Sequence, residues 1–309
     1  MSALTTCGEL RRFEAKYTLS ETQLGDGGYG VVCKGLDKNT REPVAVKVIL
    51  KDNYAKADLP RLAVEIALCK RLSHKHLVQC RDVFDIESRR QVRIVMQLAR
   101  GEELFDLIQQ KGVIEEAVTK VIIYQLMLAL QYLHSQQIIF RDVKPENILL
   151  SEPFISGKHH ILLCDFGLAV VKGEERARGA FGSVYYIAPE ALVSLPPNED
   201  YNEKVDVWAA GIVAHACVAG YPPFCTANNR NDEILKLIEN TDLDVNVPEL
   251  SSASTDFINF LQETIRRDVS TRLSATEALG HPWLKNLSDE KNSAVKHNFS
   301  NYKNYSKSK

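Results

Sequence analysis

Phe140-Arg141-Asp142-Val143-Lys144-Pro145-Glu146-Asn147, followed at short range by Asp165-Phe166-Gly167, is the stretch on which the reading of this chain turns. It holds carboxylates, a lysine and an asparagine beside two short apolar runs, Ile148–Leu150 and Ile161–Leu163, that read as strands. Such groups are costly to bury without partners, and metal and phosphate would supply them. Chance is a poor explanation for both motifs in this order, downstream of a lysine that ends an apolar strand, Val44-Ala45-Val46-Lys47.

Toward the N-terminus, short β-branched runs alternate with turn signals: Thr18–Leu24, Val31–Lys34, Val44–Ile49, Val78–Phe84 and Val92–Leu98. They predict an antiparallel sheet lobe. One helix interrupts it over Pro60–Leu72, where Glu65 and Cys69, four apart, share a face. Gly25-Asp26-Gly27-Gly28-Tyr29-Gly30-Val31-Val32 fits G-x-G-x-x-G-x-V, whose glycines let backbone amides approach phosphate. Taken alone it reads equally well as a hairpin. Strands flank it on both sides, whereas a dinucleotide fingerprint needs a following helix. Lys47 alone reads as an exposed edge lysine, but in an apolar strand it needs a counter-charge, and Glu65 is placed to supply it.

Beyond Gly101 the pattern turns helical, with segments such as Ala117–His134, Val205–Ala219, Asp232–Glu239 and Thr255–Arg266. No internal repeat is visible. After Leu284 the chain is rich in Lys, Asn and Ser, and a loosely held tail is expected.

The 309 residues, 45% of them hydrophobic, suit one large domain or two fused lobes. Lys and Arg number 38 against 40 Asp and Glu, a net charge of -2, which gives no global field for nucleic acid or a membrane. The 7 cysteines are scattered without C-x-x-C or metal-ligand spacing. A reduced compartment is expected, cytoplasmic or nuclear. Ser2 excludes N-myristoylation, and the start lacks signal-peptide architecture. Val121–Leu133 and Val205–Gly220 are too short and too polar for membrane spans, and read as buried helices.

From about Tyr17 to Leu284 the chain resembles the eukaryotic protein kinase superfamily. The resemblance implies an α+β fold: a small antiparallel β lobe with one main helix (17–98) and a larger, mostly α lobe (99–284). An N-terminal extension (1–16) and a C-terminal tail (285–309) flank them. ATP and Mg2+, with Mn2+ as a substitute, are the implied cofactors. Gly25, Gly27 and Gly30 would cover the phosphates, with Leu24 and Gly28 also in the nucleotide site, and Lys47, paired with Glu65, would bind the α- and β-phosphates. Asp142 would orient the acceptor hydroxyl and accept its proton, and Lys144 would neutralise γ-phosphoryl charge. Asn147 and Asp165 would hold the metal. Val32, Ala45 and Leu149 match positions that sandwich adenine, Met96 the gatekeeper, and Gln97–Ala99 the hinge. Glu190 of Ala188-Pro189-Glu190 would pair with Arg272, and Asp206 would brace the catalytic loop.

Lys144, two residues after Asp142, and Ser183 follow the serine/threonine pattern. Gly101-Glu102-Glu103-Leu104-Phe105-Asp106, Tyr221-Pro222-Pro223-Phe224 and His281-Pro282-Trp283-Leu284 resemble the calcium/calmodulin-dependent group. In such kinases the carboxylate at Glu103, with Glu146, receives an arginine three residues before the acceptor. Protein substrates are the implied partners. Calmodulin would need a basic amphipathic helix after the core, and the lysines at 285, 291, 296, 303, 307 and 309 come with few apolar residues.

The chain departs from the pattern in two places. Phe140 replaces the usual histidine, an exchange an aromatic ring can absorb in packing. Between Leu168 and Gly182 there is no Ser, Thr or Tyr, although Arg141, which pairs with a phosphorylated loop residue in regulated relatives, is retained. Glu174 or Glu175 would be a fixed-charge stand-in or simply solvated surface. The rival to an active enzyme is a pseudokinase scaffold, against which Lys47, Asp142, Asn147 and Asp165 all stand.

Overall fold

A computed structural model describes residues 3–27, 30–55, 59–174, 177–193 and 200–289. The chain divides into two compact units. The first runs to Arg100 and also takes in Leu162–Ala169; the second takes Gly101–Ile161 and the chain from Val170 on.

In the first unit α1 (Ala3–Lys16) leads into β1 (Tyr17–Gly27), β2 (Gly30–Asp37) and β3 (Pro43–Leu50). Then come α2 (Leu59–Arg71), β4 (Cys80–Ile86) and β5 (Gln91–Gln97). The strands form one antiparallel sheet in the order β1-β2-β3-β5-β4. Alternation along β3 and β5 sends side chains to two faces, both covered. Val44, Val46 and Val95, with Phe84 and Ile86, pack under Leu10, Phe13 and Tyr17. Ile49, Val92 and Ile94 pack under Leu62 of α2. This double coverage is why β3 and β5 read as nearly unbroken apolar runs.

The extension before Tyr17 is thus a helix docked on the sheet. Phe13 is 1% exposed and meets Phe84 edge-on at 5.4 Å, a burial worth about 1.5–3 kcal/mol. The Arg93 guanidinium lies over the Phe13 ring, 4.5 Å from its centroid. β4 starts at Cys80 instead of Val78 because the Val78 amide donates to the Leu163 carbonyl at 2.9 Å, outside the sheet ladder.

The second unit contains α3 (Leu104–Lys111), α4 (Glu116–Ser135), β6 (Ile138–Ile139), β7 (Ile148–Leu150) and β9 (Val170–Val171), while β8 (Ile161–Leu163) starts at Ile161 of this unit and continues as Leu162 and Leu163 of the first. It continues with α5 (Pro189–Leu192), α6 (Lys204–Ala219), α7 (Asn231–Asn240), α8 (Thr255–Thr264), α9 (Ala275–Gly280) and α10 (Pro282–Asp289). α6 is apolar on nearly every face and buried almost throughout, the pattern of a central core helix. α8 and α9 begin at serine caps; Ser274 and Glu277 form a reciprocal capping box.

The loosely held tail does not begin at Lys285. α10 carries the helix to Asp289, anchored by the buried Trp283 and Leu284 and by the Trp283 indole donating to Glu116 Oε1 at 2.9 Å. The remaining tail lysines, at 291, 296, 303, 307 and 309, lie outside the described residues, and the calmodulin expectation with them. Among the described residues no helix is long and apolar enough to cross a membrane.

Candidate active site

In the first unit β3 brings Lys47 to the face that α2 covers. Its Nζ lies 2.7 Å from Glu65 Oε1 and 3.0 Å from Asp165 Oδ1. Lys47 and Glu65 are almost wholly buried, whereas the Asp165 side chain is 39% exposed and open to solvent. Burial works against the charge on Lys47, yet the carboxylates of Asp165 and Glu65 outweigh it and its pKa is raised. Burial also raises the pKa of Glu65, Lys47 opposing and Asp165 adding to the effect. The two shifts favour opposite protonation states of one ion pair, and the geometry decides: a lysine between two carboxylates stays charged. Asp165 takes a positive φ of 66°, and its Oδ1 also accepts the Gly167 amide at 3.1 Å.

Val32 pairs with Lys47 across β2 and β3, and Ala45 with Met96 across β3 and β5. By strand alternation Val32, Ala45, Lys47 and Met96 therefore share one sheet face. Gln97 and Ala99 follow at the end of β5, with the Gln97 amide on the Gln79 carbonyl at 2.9 Å. Leu24 is 43% exposed on β1. Open space surrounds Gly25, while a Cβ on Gly30 would strike the Val48 carbonyl, so Gly30 answers to strand packing. Gly28 lies outside the described residues.

In the second unit the loop from Phe140 to Asn147 is braced by Asp206 of α6. Asp206 Oδ2 accepts from the Phe140 amide at 2.9 Å and bonds His134 Nε2 at 2.8 Å; Oδ1 accepts from the Arg141 amide at 2.8 Å. Asp142 is held through one oxygen only. Its Oδ2 accepts from Asn147 Nδ2 at 2.8 Å and lies 3.0 Å from Lys144 Nζ. Asp142 Oδ1 is buried and has no hydrogen-bond partner among the described residues. Asn147 Nδ2 also donates to the Asp142 carbonyl at 2.8 Å, which commits the amide nitrogen and turns its oxygen to other use.

Two more carboxylates stand nearby in the same unit. Glu103 precedes α3 and bridges Leu149 of β7. Burial, Asp106 and Glu146 together raise the Glu103 pKa against Lys144. Glu146 keeps Oε2 buried without a partner among the described residues. Farther along, Arg272 is fully buried and grips Glu190 with both nitrogens, at 2.5 and 2.9 Å, while lying 5.0 Å from the Trp208 ring centroid. The described residues hold no cluster of three or more His, Cys, Asp or Glu suited to a metal.

Comparison with known sequences matches residues 18–284 to the family described as protein kinase domain. The chain belongs to the protein kinase family. Among its relatives, calcium-dependent protein kinase 3 of Plasmodium yoelii yoelii is 34% identical over 307 residues, 98% of this chain and 54% of that protein. Calcium/calmodulin-dependent protein kinase type 1 of Macrobrachium nipponense is 33% identical over 278 residues, 90% of this chain and 77% of that protein. Myosin light chain kinase A of Dictyostelium discoideum is 33% identical over 266 residues, 85% of this chain and 86% of that protein. The kinase spans about half the length of the calcium-dependent relatives it matches.

Within each unit of the kinase, the residues singled out by sequence come together: Lys47 with Glu65 and Asp165, and Asp142 with Lys144 and Asn147. Of the proposed fixed charges, Glu174 is solvent-exposed in a turn closed on the Val171 carbonyl at 3.1 Å, and Glu175 lies outside the described residues. Sequence reasoning missed His134 as a second support of Asp206, and missed Phe181 and Tyr201, which meet the Arg141 guanidinium. The hydroxyl-free stretch ending in Phe181-Gly182 was the available signal.

Proposed function

We propose that this chain transfers the γ-phosphoryl group of Mg·ATP to serine or threonine hydroxyls of proteins, favouring substrates with arginine three residues before the acceptor. The observation that carries the proposal is Asp142. One carboxylate oxygen is tied by Asn147 and Lys144, and the other is buried with no hydrogen-bond partner among the described residues, its basicity uncommitted. In the proposed step the acceptor hydroxyl gives its proton to Oδ1 as the acceptor oxygen bonds to Pγ. The bond from Pγ to the bridging oxygen breaks, and ADP leaves with the electron pair.

Lys47, kept charged by Glu65 and Asp165, supplies the cation for the α- and β-phosphates, and Gly25, Gly27, Gly28 and Gly30 supply the loop above them. Within the first unit Val32, Ala45 and Met96 supply apolar contacts for adenine, with Leu24 at the margin and Gln97 and Ala99 offering backbone groups. Lys144 offsets γ-phosphoryl charge. Mg2+ prefers hard oxygen ligands, and each unit offers one: the Asp165 carboxylate in the first, and in the second the Asn147 amide oxygen left over once its nitrogen is committed to Asp142. An ion held by such donors would neutralise phosphate charge.

Incubation of the purified chain with Mg·ATP and a basic serine peptide tests the proposal. Phosphopeptide supports it; nucleotide binding without turnover assigns the chain to the scaffolds.

Arginine preference rests on Glu103 and Glu146, like-charged neighbours that a guanidinium would relieve. Glu103→Ala is expected to raise KM for an arginine-containing peptide by about tenfold or more, since a hydrogen bond to a charged group is worth about 1.5–3 kcal/mol. KM for ATP stays put. The raised pKa adds a pH signature. Glu103 is charged above its pKa, so it loses charge at a higher pH than an ordinary glutamate. Peptide KM should therefore be flat at neutral pH and climb as pH falls through that raised value. Glu103→Gln should flatten the climb; equal pH profiles in variant and wild type would refute the assignment.

A further inference from the structure

Stretch 168–182 of the activation segment has no side chain that can be phosphorylated, yet its end is firmly held. The holding point is Arg141, next to Asp142. The Arg141 guanidinium lies 4.4 Å from the centroid of the Phe181 ring, and its Nη1 donates to the Tyr201 hydroxyl at 3.4 Å. Tyr201 is buried, and its amide donates to the Ala177 carbonyl at 3.0 Å, which ties the segment a second time.

The next residue extends the contact. Gly182 has φ of 94°, and a Cβ there would lie 2.8 Å from the Arg141 carbonyl and 3.1 Å from Asp142 Oδ1. Phe181-Gly182 thus docks on Arg141-Asp142 with two consecutive contacts, ring on guanidinium and bare backbone on carbonyl and carboxylate. Arg141 is itself fixed, with φ of 68° and its amide on Asp206. The cavity that Arg141, Phe181 and Tyr201 line is small, with room for about one water.

We infer that Phe181 is a positioning residue: with Tyr201 it latches the activation segment to the catalytic loop through Arg141 and so keeps Gly182 against Asp142 without any phosphorylation. The inference rests on the proposed kinase activity. An aromatic face attracts a cation through its quadrupole, most strongly for Trp, and an aliphatic side chain of similar bulk lacks that attraction. Ring chemistry, and not volume alone, then sets the strength of the latch.

Phe181→Leu is expected to lower kcat about tenfold, a scale between an exposed and a desolvated cation–π contact, as suits a half-buried pair, with KM for ATP unchanged. Phe181→Trp should stay near wild type, and adding Arg141→Met to Phe181→Leu should cost little beyond the larger single loss. Phosphatase treatment should leave the wild type unchanged. Hydrogen exchange of residues 177–189 supplies a readout independent of turnover: faster exchange in Phe181→Leu and wild-type protection in Phe181→Trp. Leu and Trp variants that match in both kcat and exchange, or strictly additive losses, overturn the latch. A wild type that shows no turnover sinks the kinase reading instead, and the exchange comparison then decides the latch alone.

Discussion

Asp142→Asn is expected to lower kcat by about a hundred- to ten-thousandfold, the range a positioned general base contributes, with ATP affinity nearly unchanged. The substitution keeps the shape of the side chain and an oxygen for Asn147, so the loop held by Asp206 should stay in place. What it removes is the charge facing Lys144 and the basicity of Oδ1, the buried oxygen with no partner among the described residues. Because the residues proposed for the α- and β-phosphates lie in the other unit, nucleotide binding should survive. The measurement pairs single-turnover transfer with calorimetric titration of the nucleotide. A variant that keeps more than about a tenth of wild-type kcat would show that Asp142 is not the base.

The legibility of this chain follows the cost of burying charge. Asp142, Lys144, Asn147 and Asp165 stood out because polar groups beside apolar runs need an explanation. Lys47 and Glu65 could be paired because a lysine ending an apolar strand needs a counter-charge, and the family resemblance pointed to the same glutamate. Arg272 is 82 residues from Glu190, and no local pattern links them; only the family resemblance did. The N-terminal helix was invisible for a related reason. Its apolar residues, Leu10 and Phe13, are separated by Arg11 and Arg12, and they gain stability only against Phe84 and Ile86, far along the chain. Short helices draw most of their stability from such packing and little from propensity. The Phe181 latch is of the same kind, since it needs Tyr201, whose hydroxyl reaches Arg141 across 60 positions of sequence. The α10 helix outran the expected tail because Trp283 fixes it to Glu116, 167 positions away.

Lys47→Met should destabilise the protein by about 3–5 kcal/mol as well as remove activity, because it strands a buried carboxylate. Glu65 is 2% exposed, and its close cation is Lys47, 2.7 Å away. Asp165 suffers less, since its half-exposed carboxylate can turn to water. Replacing both ends of the buried pair, as Lys47→Met with Glu65→Met, should recover most of the stability, for an apolar pair of similar volume carries no desolvation penalty. Activity should not return, because the cation proposed for the phosphates is still missing. The pH dependence of the single variant follows from the same burial. Without Lys47, nothing offsets the burial that pushes Glu65 up, so its folded-state pKa lies above the unfolded one. The folded state then binds that proton more tightly. Stability is fully retained below the unfolded pKa and declines as pH rises through the folded value, so the deficit against wild type widens toward neutral pH. Urea denaturation of the wild type and both variants across that range checks the sign. A double variant no more stable than Lys47→Met would mean that Lys47 supports the fold through packing of its stem, and that the ion pair serves the nucleotide alone.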